Sequence, residues 1–79
     1  MKAKITITLK KGVLDPQGKA IEGALGSLGF TGVENVRQGK YIELEMTETD
    51  AEKARSQIRS MCEKLLANTI IENYDIELA

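Results

Sequence analysis

The sequence predicts an α+β domain of the order β-α-β-β-α-β, a ferredoxin-like antiparallel sheet with two helices on one face. Three observations predict it. Both ends alternate apolar and polar residues with the period of two that a strand with one buried face requires, at Lys2–Lys10 and at Ile70–Leu78. Two interior stretches carry apolar residues at helical spacing. Between them, Val33–Met46 (VENVRQGKYIELEM) reads as a β-hairpin, with Gly39 placed where a tight turn needs positive φ.

In chain order, Ala3, Ile5, Ile7 and Leu9 of the first strand alternate with Lys2, Lys4, Thr6, Thr8 and Lys10, and Lys11-Gly12 ends the run. Asp15-Pro16 opens the first helix. Asp caps orphan backbone N–H groups, and Pro at the first helical position has no donor to lose. Ile21, Ala24, Leu25 and Leu28 form its stripe, and Gly29 suits a left-handed Schellman ending with Phe30 folding back on Leu25. Gly23 and Gly26, costly inside a helix, imply a close approach to a sheet or a neighbouring chain.

Val33–Arg37 is the weaker hairpin strand, because Val33 and Val36 differ in parity and so imply a bulge. Tyr41–Met46 is the stronger one, with Ile42, Leu44 and Met46 inward. Thr49-Asp50-Ala51-Glu52 has the form of a capping box, with Thr49 as cap. Ala51, Ala54, Ile58, Met61 and Leu65 follow as the second helical stripe, widened by Cys62 and Leu66, and Asn68 suits a left-handed end. Tyr74, Ile76 and Leu78 share one face of the last strand.

Charge selects the strand order. The lysines of strand 1 fit between the acidic rows Glu43, Glu45 and Asp75, Glu77, whereas setting strands 3 and 4 side by side aligns two acidic rows. Strand 1 is therefore expected at the centre.

At 79 residues the chain makes one domain, residues 1–79, with 42% hydrophobic and 29% charged residues. A chain of this size buries only about 60–65% of its unfolded surface, so self-association or a larger partner is expected. The net charge of −1, with basic residues dispersed and only three aromatics, argues against nucleic acid. A single cysteine fits a reducing compartment, and no apolar run approaches a membrane span, so a cytoplasmic protein is expected.

Candidate chemistry is sparse. There is no histidine, which removes the commonest general base and metal ligand. Cys62 lies on the second helical stripe and reads as core rather than nucleophile. Glu43 and Glu45, flanked by lysines, read as an ionised sheet surface rather than an acid–base pair. Lys10-Lys11-Gly12 reads as loop rather than phosphate site, since Asp15 occupies the helix start. Arg37 and Lys40 read as solvated edge charges or as contacts for an acidic partner. No catalytic or metal-ligating set emerges.

Four segments, taken in order, resemble the PurS family, the small subunits of phosphoribosylformylglycinamidine (FGAM) synthase. They are LKKGVLDPQGKAI (Leu9–Ile21), LGF (Leu28–Phe30), VENVRQGKYIEL (Val33–Leu44) and CEKLLANTIIENY (Cys62–Tyr74). Thr69 departs from the proline usual in the family after the Asn. The resemblance implies a non-catalytic subunit in purine biosynthesis that bridges a glutaminase (PurQ) and an ATP-dependent synthetase (PurL) and assists ammonia transfer between them. It implies self-association as a dimer or tetramer and no cofactor on this chain, while the complex uses ATP with Mg and glutamine. Asp15, Pro16, Gln17, Gly18, Arg37, Gly39 and Lys40, non-core positions of the matched motifs, are the expected partner contacts. The alternative is an ACT-like regulatory module that binds a small ligand, which shares the topology and a first loop with Asp, Pro and Gly.

Overall fold

The computed structural model describes all 79 residues. Its elements are β1 (Lys2–Leu9), α1 (Pro16–Ser27), β2 (Gly39–Glu45), α2 (Ala51–Met61) with a π-helical turn at Cys62–Leu66, and β3 (Glu72–Leu78). The sheet has three strands in the order β2-β1-β3, both pairs antiparallel. β1 is central, as the charge pattern requires. Lys4 stands opposite Glu43 on one side and Glu77 on the other, Thr6 faces Asp75, and the Lys2 ammonium lies 3.7 Å from the Glu43 carboxylate.

Ala3, Ile5 and Ile7 of β1 turn to the inner face, where Ile58 and Cys62 pack against them with no exposed surface; Ala54, one turn earlier on α2, is also fully buried. The inward stripe therefore runs through Ala54, Ile58, Cys62 and half-buried Leu66, while Met61 and Leu65 lie outside it. Steps of four select that face, and the π-helical turn, closed by the Ala67 N–H on the Cys62 carbonyl at 3.0 Å, keeps Leu66 on it. The cap of α2 is Asp50 rather than Thr49; its carboxylate accepts from the N–H groups of Glu52 and Lys53. Asn68 is not left-handed. Its carbonyl and amide oxygens accept from Ile70, Ile71 and Glu72, forming the turn that delays the last strand to Glu72.

α1 begins and ends as its residues dictate. Asp15 caps it with Pro16 first, and at the other end Phe30 N–H reaches the Leu25 carbonyl while Gly29 N–H reaches that of Gly26, with Gly29 at φ 92°.

The predicted hairpin does not close. Gly39 is not a turn residue but the first residue of β2, opposite Thr8, and Val33–Arg37 pairs with no strand. The parity break between Val33 and Val36 falls at Asn35, which has φ 56°. The predicted placement of both helices on one face is also corrected. α2 alone covers the sheet, and α1 contributes nothing to the core cluster. Gly23 and Gly26 have open space where a Cβ would stand, so the close approach they imply is not made within this chain.

α1 and the unpaired Val33–Gln38 run form an arm beyond the sheet. The chain measures 48 × 24 × 15 Å, and its radius of gyration of 15.9 Å exceeds the roughly 12 Å of a compact domain this long. Only nine residues are buried.

Gly18 is where the arm packs against itself, since a Cβ there would run into the Val36 carbonyl oxygen. Gly18→Ala is expected to cost about 1–3 kcal/mol by forcing that backbone apart. Urea unfolding of the two proteins measures the difference.

Candidate interaction surface

The residues expected as contacts gather at the junction between arm and sheet, where two stretches over twenty residues apart in sequence meet. The Asp15 carboxylate joins them. One oxygen accepts from the Gly18 N–H at 2.8 Å, capping α1, and the other accepts from the Gln38 N–H at 2.7 Å, just before β2. Asp15 and Gly18 are buried, so both hold the junction from within. The hydrogen bonds from Gln38 and Gly18, and then the nearby Arg37 charge, hold the Asp15 carboxyl below its ordinary value of 3.8.

Arg37 donates from its guanidinium to the Lys10 carbonyl at 3.2 Å and the Val13 carbonyl at 2.8 Å, clamping the loop that leaves β1. Gly39 fits because a Cβ there would stand 2.6 Å from the Ile7 carbonyl oxygen. Lys40 lies on the edge strand β2 with its side chain more than half exposed. It stands opposite Ile7, on the inner-face parity, and its ammonium lies 3.6 Å from the Glu72 carboxylate and 3.5 Å from the Leu66 carbonyl. A cation there complements the carbonyl end of the second helix. Pro16 and Gln17 are exposed.

Two clefts flank the junction. The inner one, about 200 Å³, is lined by Asp15, Gln17, Gln38, Lys40 and Glu72 among others. The outer one, about 540 Å³, is lined by Thr8, Leu9, Lys11, Gly12, Asn35 and Arg37. Both are bordered mainly by polar side chains and loop backbone.

Elsewhere the titratable side chains with shifted pKa values sit in the core or on the open sheet face. Burial raises the pKa of the Cys62 thiol, which keeps it protonated within the core. Glu43 is held below its ordinary value first by the Tyr41 hydroxyl, which donates to it at 2.8 Å, and then by the Lys2 charge. It is a poor proton carrier near neutrality. No three His, Cys, Asp or Glu side chains gather as a metal site would require.

The sequence reading missed the exposed apolar residues. Leu14, Leu28, Phe30, Leu65 and Ile70 are all more than half exposed. Leu28 and Leu65 were assigned to helical stripes, and periodicity does not reveal whether a stripe meets its own sheet or another molecule.

Comparison with known proteins gives this geometry its context. The family model described as "PurS: Phosphoribosylformylglycinamidine (FGAM) synthase" matches residues 2–79. The chain belongs to the PurS family. Among PurS relatives, the FGAM synthase subunit of Synechocystis sp. is 49% identical, over 95% of this chain and 75% of its own length. That of Bacillus subtilis is 47% identical, over 98% and 90%. The crystal structure of Bacillus subtilis PurS superposes with a TM-score of 0.86 over 96% of this chain and 94% of that one. A chain in the structure of PurLQS from Thermotoga maritima is 34% identical and superposes at 0.87, over 96% and 93%. The segments that carry the resemblance, DPQG and VRQGK, meet at the junction, where Asp15 and Arg37 bond to backbone groups and Gly18 and Gly39 stand close to backbone carbonyls.

The pH dependence of stability follows from Asp15. Because its folded pKa lies below 3.8, its contribution is present above that value and is lost as pH falls through the lower folded pKa. Asp15→Asn is expected to lower the melting temperature at neutral pH and to flatten the acid limb. Thermal melts from pH 7 to pH 2 measure both effects.

Proposed function

We propose that this chain is the PurS subunit of FGAM synthase in purine biosynthesis, a non-catalytic component that bridges the PurQ glutaminase and the PurL synthetase. The observation that carries the reading is the PurS match along residues 2–79, together with the superposition on a chain of a solved PurLQS assembly. The structure accords with it, since the one well-buried carboxylate is committed to two backbone N–H groups and the one thiol to the core.

In this reading the subunit supplies surface. Docked against both partners, it shields a path along which ammonia from glutamine reaches the synthetase before it escapes or picks up a proton. ATP, with Mg, and glutamine are handled by the other subunits, and the complex works in the cytoplasm. Pro16 and Gln17, with Arg37 and Lys40 beside the clefts, are the proposed partner contacts, positioned by Asp15, Gly18 and Gly39. The protein works as a dimer or tetramer, which accords with its thin core. A ligand-binding regulatory module of ACT type is not favoured, because the relatives and structures that match are PurS proteins.

Reconstitution tests the proposal. With PurL and PurQ, amidine formation driven by glutamine is expected to fall at least tenfold when this chain is left out, while formation driven by free ammonium salts is largely kept. Equal rates with and without the chain, or turnover by the chain alone, would contradict it.

A further inference from the structure

The outer cleft collects positive charge that nothing in the chain neutralises. Its lining comes from three stretches: Thr8 and Leu9 at the end of β1, Lys11 and Gly12 in the turn that follows, and Asn35 and Arg37 on the arm. None of these is acidic, whereas the inner cleft is lined by Asp15 and Glu72. The chain's two salt bridges, Lys2–Glu43 and Lys40–Glu72, leave Lys11 and Arg37 unpaired.

Arg37 is already fixed in place. Its hydrogen bonds to the Lys10 and Val13 carbonyls both come from Nη2, so the Nη1 and Nε donors have no partner in the chain. Neutral carbonyls orient the guanidinium without cancelling its charge, and the remaining N–H groups are free to donate to an oxyanion. The same loop adds main-chain donors. Its turn is closed by the Val13 N–H on the Lys10 carbonyl at 3.1 Å, and the Lys11 and Gly12 N–H groups find no acceptor. The Asp15 carboxylate feels the Arg37 charge, but both of its oxygens are engaged by the Gly18 and Gln38 N–H groups, and it lines the inner cleft instead.

We propose that the outer cleft is a binding site for a phosphate group, free or carried by a small organic molecule, held between the Lys11 ammonium and the Arg37 guanidinium. Two cations with main-chain N–H groups beside them form the donor set that a phosphate dianion takes. At about 540 Å³ the cleft falls within the range of small-molecule sites, roughly 300–1,000 Å³, which favours a discrete ligand over an acidic stretch of a partner protein. No aromatic side chain lines it, so a nucleobase has no platform on which to stack, and an aliphatic or sugar phosphate suits it better. Asp15 at the start of α1 is the reason for reading Lys10-Lys11-Gly12 as a plain loop. The cleft, however, is lined by that loop and the arm, not by the helix start. The inference goes beyond the subunit reading and is tested on this chain without other subunits, so either can fail without the other.

Nuclear magnetic resonance titration of the isotope-labelled full chain tests the site, with inorganic phosphate, glycerol phosphate and chloride added at matched ionic strength. The amides followed are those of Lys11, Gly12 and Arg37. Lys11→Gln removes one cation without breaking a contact, since Lys11 is exposed and makes no ion pair. Lys19→Gln, at an exposed lysine of α1 that does not line the cleft, is the control. Both phosphates are expected to shift the three amides saturably and about tenfold or more tighter than chloride, with binding weakened about fivefold or more in Lys11→Gln and unchanged in Lys19→Gln. Tighter binding of glycerol phosphate than of phosphate assigns the cleft to an organic phosphate, and equal or weaker binding to the free ion; both uphold the site. Shifts that stay linear and match those from chloride overturn it, as does an equal loss in the two variants. A short glutamate-rich peptide that saturates the same amides at lower concentration than either phosphate also overturns it, by making the cleft a contact for an acidic protein segment.

Discussion

The Asp15 carboxylate is the constraint on which the rest of this structure depends. It caps the first helix and, with its second oxygen, takes the Gln38 amide that a neighbouring strand would otherwise take. A hydrogen bond to an ionised acceptor is about twice as strong as a neutral one. Two such bonds from one side chain fix the angle at which the chain enters β2. With Glu22 holding the Val36 amide in the same way, the approach to β2 is tied to α1 rather than folded back as a hairpin. Gly18 and Gly39 allow the close backbone contacts that this arrangement demands.

Holding the arm away from the sheet leaves a small core. One helix covers three strands, and β2 with the residue after it contributes only half-buried Ile42, Leu44 and Met46 to the packing. Folding therefore draws on few fully desolvated side chains, chiefly Ile5, Ile7, Ile58 and Cys62. A chain so organised gains most from contacts with other chains. That property suits a member of a family whose solved structures include a chain of a PurLQS assembly.

Much of this was legible in the residues. Alternation located β1 and β2 to within a residue or two, Asp15-Pro16 and Gly29 marked both ends of α1, and the lysines of β1 between two acidic rows placed it centrally. The resemblance to PurS rested on segments that the family model also covers. The hairpin was misread because a Gly between two strand-like runs suits either a tight turn or a straight close crossing; the deciding contact, between Gly39 and the Ile7 carbonyl, is tertiary. The α1 stripe was real, but nothing local says that the surface it needs is not its own sheet.

The central claim is that the Asp15 carboxylate ties the start of α1 to the approach to β2. Amide hydrogen exchange at Gln38, compared between this chain and its Asp15→Ala variant, tests the claim most directly. The account predicts a Gln38 amide protected in the native protein and exchanging at least tenfold faster in the variant, with the β1 amides little changed. Equal exchange at Gln38 in the two proteins would contradict it.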